Sequence, residues 1–371
     1  MSARSVIVTG ADGFIGRNLR LRLSELNGWS VLPLTRDTPS EGWIDAFRNG
    51  DAVVHLAGVN RPADPAEFAE NETSVTALLD TMRAVGRRLP VVLASSTKAE
   101  ESSPYGASKL AAERRLLAAA VSDGFVAAVV RLPNVFGKWC RPNYNSAVAT
   151  FCHNIARDLP VRVDDAEAAL TLVYIDDVID TFIRLITDGF ETGHHEVGPA
   201  YRTTVGYVLD QIRGFRADRD QNLIAEVGHG LTRALYATYV SYLPTESFSY
   251  AIPAHKDARG AFSEMVKTRT SGQFSYFNAL PGVTRGGHYH HTKTEKFLVV
   301  HGRARFRFRN LATGERHEIE TSAEHPEIVE TIPGWAHDVT NIGDEIMVSL
   351  LWANEIFDRS RPDTISHRLD P

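Results

Sequence analysis

At 371 residues the chain is long for one hydrophobic core, so its length predicts two domains. Its formal net charge is -6 and no Lys/Arg block stands out, which argues against nucleic acid as a partner. MSARSVIVTG lacks a signal-peptide core, no apolar run is long enough to span a bilayer, and Cys140 and Cys152 suit neither a zinc ribbon nor a redox pair. The expectation is a cytoplasmic protein with reduced thiols.

Val6, Ile7 and Val8 read as a buried parallel strand that opens into TGADGFIG, Thr9–Gly16. Glycines at 10, 13 and 16 let backbone amides and a first helical turn approach a pyrophosphate. Gly10, Gly13, Phe14, Ile15 and Gly16 are therefore candidate dinucleotide contacts, although such turns also occur as plain connectors. An amphipathic helix carries Leu19, Leu21 and Leu23 and ends near Asn27–Gly28. The next strand, Ser30–Thr35, ends at Arg36, where a basic residue favours the 2′-phosphate of NADP; the adjacent Asp37 pulls towards NAD. Asp51–Gly58, DAVVHLAG, is a second buried strand, and Leu56, Ala57 and Gly58 at its end offer close passage to the cofactor. His55 within it reads as a packed strand histidine.

A helix from about Pro65 to Arg88 leads to the strand Pro90–Ser95. It delivers Ser95, Ser96 and Thr97 where open α/β sheets place their ligands. Tyr105-Gly-Ala-Ser-Lys109 then sets a phenol and an ammonium at i and i+4, on one helical face. A nearby ammonium favours the phenolate, so Tyr105 can exchange a proton with a substrate oxygen that the Ser96 hydroxyl also holds.

These stretches, with RLPNVFG at Arg131–Gly137, resemble an extended short-chain dehydrogenase/reductase of the nucleotide-sugar type, from residue 4 to about 240. The resemblance implies an α/β doubly wound Rossmann-type domain over residues 1–243. It implies Tyr105 and Lys109 as a catalytic pair that also meets the cofactor, Ser96 as their partner, and Asn134 against the sugar nucleotide. Ser95 is the alternative serine, because the stretch before Tyr105 is short. Dehydratases of that family carry an Asp–Glu pair after the hydroxyl residue; here Thr97 and Lys98 stand instead, which leaves simple hydride transfer. In Lys138–Pro160, Arg141, Asn143 and Asn145 are candidate diphosphate or sugar contacts, while Phe151 and Ile155 suit a helix that merely packs. His194–His195 has no third ligand at a suitable spacing, so no metal is expected there.

Beyond Tyr239–Pro253 the pattern changes to short strands: Gly272–Ala279, Lys296–Val300, Ala304–Arg309, His317–Glu320, Ile328–Thr331 and Ile346–Leu351. They suggest a sandwich or jelly roll whose edges a dimer partner would cover. His288 and His290 are two apart, Glu295 follows five later, and His337 lies in PGWAHDVTN; together they make a divalent site. The spacing from Gly282 through His288, His290 and Glu295 to Gly302 resembles the first cupin motif, and Pro333, Gly334, His337 and Asn341 match the second. This implies an all-β cupin domain over residues 244–371 holding a metal, with zinc the first choice and iron or manganese the alternatives.

A reductase followed by a metal cupin, with GKWCRPNYNS and TRGGHYHHTKTEKF, resembles the bifunctional CapF-type enzymes of bacterial surface-polysaccharide synthesis. That resemblance implies a UDP-linked 4-keto-6-deoxy amino sugar as substrate, and a homodimer or higher homo-oligomer is expected. The cupin would epimerise C3 of a UDP-2-acetamido-2,6-dideoxy-4-hexulose, and the reductase would reduce its C4 ketone with NADPH, towards UDP-N-acetyl-L-fucosamine. A C4 ketone acidifies the C3 proton, and His291, His301 and Lys296 are candidate bases for it. The alternative is a single-activity reductase or C4 epimerase with a structural cupin. Net NADPH consumption would separate the reductases from the epimerase.

Overall fold

Strand β1, Arg4–Thr9, places Val6, Ile7 and Val8 at zero exposure and pairs in parallel on both edges, with β2, Trp29–Leu34, and β3, Ala52–His55. A strand covered on both faces tolerates only apolar residues, which is why the run is continuous rather than alternating. The computed structural model describes residues 4–252, 255–257, 260–262, 266–268, 272–355 and 360–369. The chain divides into two compact units, residues 1–136 with 170–202, and residues 137–169 with 203–371.

The sheet of the first unit runs β2–β1–β3–β4–β5–β8 and is parallel throughout. Here β4 is Val91–Ser96, β5 Ala127–Leu132 and β8 Gly193–His195; β6, Asn134–Phe136, pairs apart from it with β7, Ala169–Tyr174. Helices α1 (Phe14–Ser24), α2 (Ser40–Asn49), α3 (Glu70–Ala84) and α4 (Pro104–Asp123) connect the strands in turn. On one face Ile7, Val53, Val91 and Val129 pack with Phe47 of α2, Leu78 and Met82 of α3, and Leu116 of α4. On the other, α1 packs against β1 and against α6, Ile175–Asp188, which also meets β4. The helix expected over 65–88 is a 3-10 turn, Pro65–Ala69, capped by Asp64, followed by α3; it stops at Ala84, two residues before Gly86 turns to positive φ.

The glycine turn after β1 is set by close approach. A Cβ on Gly16 would stand 2.4 Å from the Gly10 carbonyl oxygen and 2.7 Å from that of Ala11. Gly16→Ala is therefore expected to push α1 off the turn and cost about 1–3 kcal/mol of stability, as overpacking does. NADPH binding should weaken with it. A denaturant melt and a cofactor fluorescence titration check this; wild-type values in both would mean that the turn is slacker than drawn.

In the second unit, α5 (Ala147–Ile155), α7 (Val205–Asp220) and α8 (Gly230–Ser241) come together, with the Phe215 ring 5.2 Å from that of Tyr236. Strand β9, Ser249–Ala251, then joins a five-stranded sheet, β9–β15–β12–β17–β10. A second sheet runs β14–β13–β16–β11–β18. These strands are β10 Gln273–Ala279, β11 Thr284–Tyr289, β12 Glu295–His301, β13 Arg303–Asn310, β14 Arg316–Ser322, β15 Glu327–Glu330, β16 Trp335–Asn341, β17 Met347–Ala353 and β18 Ile365–Ser366. Phe297 of one sheet meets Phe306 of the other at 5.5 Å, and the strands in both sheets pair antiparallel. Arg219 of α7 reaches Glu330 at 2.5 Å and stacks 4.5 Å over Tyr250. The boundary expected at 243/244 therefore lies inside this unit. Cys140 and Cys152 are not disulfide-bonded, and no helix among the described residues is long and apolar enough to cross a membrane.

Candidate functional site

In the first unit the site grows from the end of β4. Ser96 caps the turn that follows, its hydroxyl accepting the Lys98 N–H at 3.2 Å, and the same hydroxyl acts on the Tyr105 phenol. Tyr105 opens α4, whose N-cap Ser103 takes the Gly106 N–H at 3.0 Å. A Cβ on Gly106 would stand 2.2 Å from the Lys98 carbonyl oxygen, so only glycine lets the helix start against the β4 turn. One turn on, Lys109 is buried and donates to the Ala94 carbonyl at 3.0 Å.

The electrostatics differ from the expected phenolate. Burial pushes the Tyr105 phenol up, opposed by the Ser96 hydroxyl. Burial also pushes Lys109 down to about 8, opposed by Glu113. A neutral phenol is the form that can donate a proton, so the arrangement suits reduction of a carbonyl.

The two serines part ways. Ser95 donates to Glu113, whose carboxylate also holds Arg131 at 2.7 Å. Glu113 is the residue that the sequence reading missed, although Tyr105, Lys109 and Glu113 lie at i, i+4 and i+8 on one helical face. Asn71 was also missed: buried in α3, it accepts the Val59 N–H at 3.0 Å and donates to Ser108 at 3.0 Å, tying the loop after Gly58 to α4. His55 is a packed core histidine, held by Thr9 at 2.8 Å and Ser74 at 3.2 Å.

Around the turn, Gly13 is the N-cap of α1, Phe14 and Ile15 form its first turn, and Gly10 lies against the Leu56–Ala57 backbone. A Cβ on Gly58 would lie 3.8 Å from the Lys109 Nζ, so these two candidate contacts adjoin. Arg36 is exposed just past β2, and Asn134 is exposed with its amide on the Thr171 carbonyl at 3.1 Å. Arg141 and Asn143 belong to the second unit; Arg141 stacks 5.1 Å over Tyr144, and Asn143 takes φ 53 with its N–H on Thr150.

The second unit brings its four candidate ligands together. His288 on β11 faces His337 on β16 in register, His290 follows β11, and Glu295 opens β12. One ligand atom from each of these four residues lies within 4.8 Å of the others. His290 Nε2 is 3.1 Å from Glu295 Oε2. His337 Nε2 is buried, has no hydrogen-bond partner among the described residues and stands 3.6 Å from the same carboxylate oxygen. Its other ring nitrogen lies 3.4 Å from the Trp335 carbonyl. Burial, with His337 and His290 alongside, pushes His288 down to about 3. Burial opposes the Glu295 charge, but His290 and His337 outweigh it and hold the carboxylate well below its usual range. His288 and His337, both pushed down by burial, one orphaned nitrogen and an ionised carboxylate fit a divalent cation.

Of the candidate bases, Lys296 points away from this cluster and pairs with Glu330 in the interior. Strand alternation is the reason, since Glu295 beside it faces the cluster. His301 is exposed and 3.4 Å from Glu345. Lys293 was not foreseen: it is buried, with its Nζ 3.8 Å from Glu295 Oε1.

Residues 6–198 match the NAD dependent epimerase/dehydratase family, and residues 255–365 match the polysaccharide biosynthesis C-terminal domain. The chain belongs to the NAD dependent epimerase/dehydratase family. Within it, a UDP-2-acetamido-2,6-beta-L-arabino-hexul-4-ose reductase from Pseudomonas aeruginosa is 53% identical over 361 residues, 97% of either chain. The crystal structure of the capsular polysaccharide assembling protein CapF from Staphylococcus aureus is 36% identical with a TM-score of 0.67, covering 98% of this chain and 99% of that one. RMD from Pseudomonas aeruginosa, complexed with NADPH, shares the fold at 23% identity and a TM-score of 0.52, over 58% of this chain and 84% of its own. The doubly wound domain, the all-β domain and the CapF-type resemblance read from the sequence all hold.

Proposed function

We propose that this protein is a bifunctional nucleotide-sugar enzyme that epimerises C3 of a UDP-2-acetamido-2,6-dideoxy-4-hexulose and then reduces its C4 ketone with NADPH. Its place is on the way to UDP-N-acetyl-L-fucosamine for surface polysaccharide. The reading is carried by the end-to-end match to a hexul-4-ose reductase in a chain that also holds a buried three-histidine, one-carboxylate cluster.

Bound NADPH supplies the hydride for C4. The glycine turn with Leu56, Ala57 and Gly58 would hold it, and exposed Arg36 favours the 2′-phosphate over a bare ribose. Tyr105 would give its phenolic proton to the C4 oxygen, so that ketone, NADPH and one proton become alcohol and NADP+, and a proton from solvent restores the phenol. Ser96 holds the same oxygen, and Lys109 supports the phenol and the nicotinamide ribose. Ser95, engaged with Glu113, serves the scaffold instead. Asn134, Arg141 and Asn143 are the proposed contacts to the sugar nucleotide.

In the cupin, His288, His290, Glu295 and His337 would hold a divalent ion, zinc before iron or manganese for this donor set. Such an ion supplies electrostatic stabilisation to an enolate. Removing the C3 proton and returning it to the other face needs a side chain near the cluster. Lys293, buried with its Nζ 3.8 Å from Glu295 Oε1, is better placed than His301 or Lys296, while the His291 ring lies against Tyr289.

NMR of the UDP-4-hexulose incubated with the protein in D2O tests both steps. Deuterium should enter C3 without NADPH, and a reduced talo-configured sugar should appear with it. Reduction with no label at C3 would demote the cupin to a scaffold and leave a single-activity reductase.

A further inference from the structure

Two of the four clustered residues sit at the ends of one turn, residues 290–295 between β11 and β12, and that turn is held from the far end of the chain. Asp363 lies against it. Its Oδ1 accepts the His291 N–H at 2.9 Å, and its Oδ2 accepts the N–H groups of Thr292 and Lys293 at 2.7 Å each. Oδ2 also takes the Thr292 hydroxyl at 3.2 Å. Three successive amides thus converge on one carboxylate, a geometry in which charge-assisted hydrogen bonds are strong. The backbone carbonyl of Asp363 is itself the partner of His290 Nδ1.

The contact continues along the strap. Thr364 Oγ1 accepts the Lys293 ammonium at 2.7 Å. Strand β18 pairs with β11 so that Ser366 is opposite His288, and the His367 N–H reaches the Gly287 carbonyl at 2.7 Å. Residues 363–367 therefore grip both the strand that carries His288 and the turn that carries His290.

We infer that Asp363 is a positioning residue for the metal centre, the catch of a C-terminal latch that sets the tautomer and ring orientation of His290. With Nδ1 engaged by the Asp363 carbonyl, Nε2 is the nitrogen left beside Glu295 that would give its lone pair to the cation, while the carboxylate fixes the turn between the two ligands. Outer partners of this kind are what keep a histidine ligand basic and in place. The inference rests on the metal reading of the cluster, and it places a determinant of that site 68 residues beyond Glu295, the distance from position 295 to position 363.

The test is zinc competition against a chromophoric chelator, using the full chain as wild type, Asp363→Asn and Thr364→Val. Asp363→Asn keeps the backbone carbonyl on His290 but cannot accept all three amides, so zinc binding should weaken by about 10-fold, the lower end of what disturbing an outer shell costs. Its zinc-induced gain in melting temperature should shrink in step. Thr364→Val, which loses the Lys293 contact but keeps every Asp363 bond, should weaken zinc binding less than Asp363→Asn does. Hydrogen exchange on the metal-free wild type gives a second reading that needs no variant to fold: amides 291–293 should be protected before zinc is added. Wild-type affinity in Asp363→Asn, or free exchange at those three amides, would overturn the latch alone. A wild-type chain that takes up no zinc would remove the metal reading and the latch with it.

Discussion

Tyr105→Phe is expected to cut C4 reduction by about 10²–10⁴-fold, the usual share of a positioned proton donor. NADPH should still bind, and deuterium should still enter C3. The phenol suits the role of donor: burial outweighs the Ser96 hydroxyl and holds it above its ordinary value, and therefore neutral at pH 7. Phenylalanine keeps the ring, and with it the contact to Phe68 at 5.7 Å, so the loss should lie in kcat rather than in folding. The pH profile should carry a second signature. Lys109, pushed down to about 8 by burial, loses its charge as pH rises through that value, while Tyr105 stays protonated. Reduction should accordingly fall above about pH 8 in the wild type, in parallel with the charge on Lys109. Stopped-flow NADPH oxidation and C3 deuteration, run on the same samples, decide the matter. Loss of both activities in Tyr105→Phe would sink the separation into two sites.

What could be read from the sequence follows from how local each signal is. The β1 run, the glycine turn and the pair Tyr105/Lys109 are set by spacings within one strand, one turn and one helical face, so residue periodicity reports them directly. His288, His290 and Glu295 lie within eight residues of each other, which gave the cluster away. The choice between Ser95 and Ser96 was not local. It depends on Glu113 and Arg131 arriving from α4 and β5, and only packing brings them to the end of β4. Lys296 was misplaced for a different reason: the expected strand began at 296 rather than at Glu295, and one residue decides which face a side chain takes. Strands β11 and β16 were read as ligand motifs and not as strands, because Gly286, Gly287 and Gly334 break the alternation. Asp363 had no spacing signal at all, since a latch formed between β11 and a distant strand leaves no periodic trace.

His290→Ala should have the larger consequence in the second unit. Removing one of four donors takes away the nitrogen 3.1 Å from Glu295 and leaves that buried carboxylate to His337 and Lys293. Zinc affinity should fall further than the roughly 10–100-fold expected when only an outer partner is lost. The metal-free protein should lose stability as well, by about 1–3 kcal/mol, the cost of leaving a buried polar group short of a partner. With the cation gone and Glu295 less constrained, deuterium entry at C3 should stop. Reduction of a hexulose already epimerised at C3 should continue, because Ser96, Tyr105 and Lys109 belong to the other unit. Three measurements on one preparation bear on this: metal content, C3 exchange in D2O and NADPH oxidation with the epimerised substrate. Full metal content in His290→Ala would remove it from the ligand set. Full C3 exchange despite lost metal would make the cation a structural clamp, and the base on the 290–295 turn would then carry the epimerisation by itself.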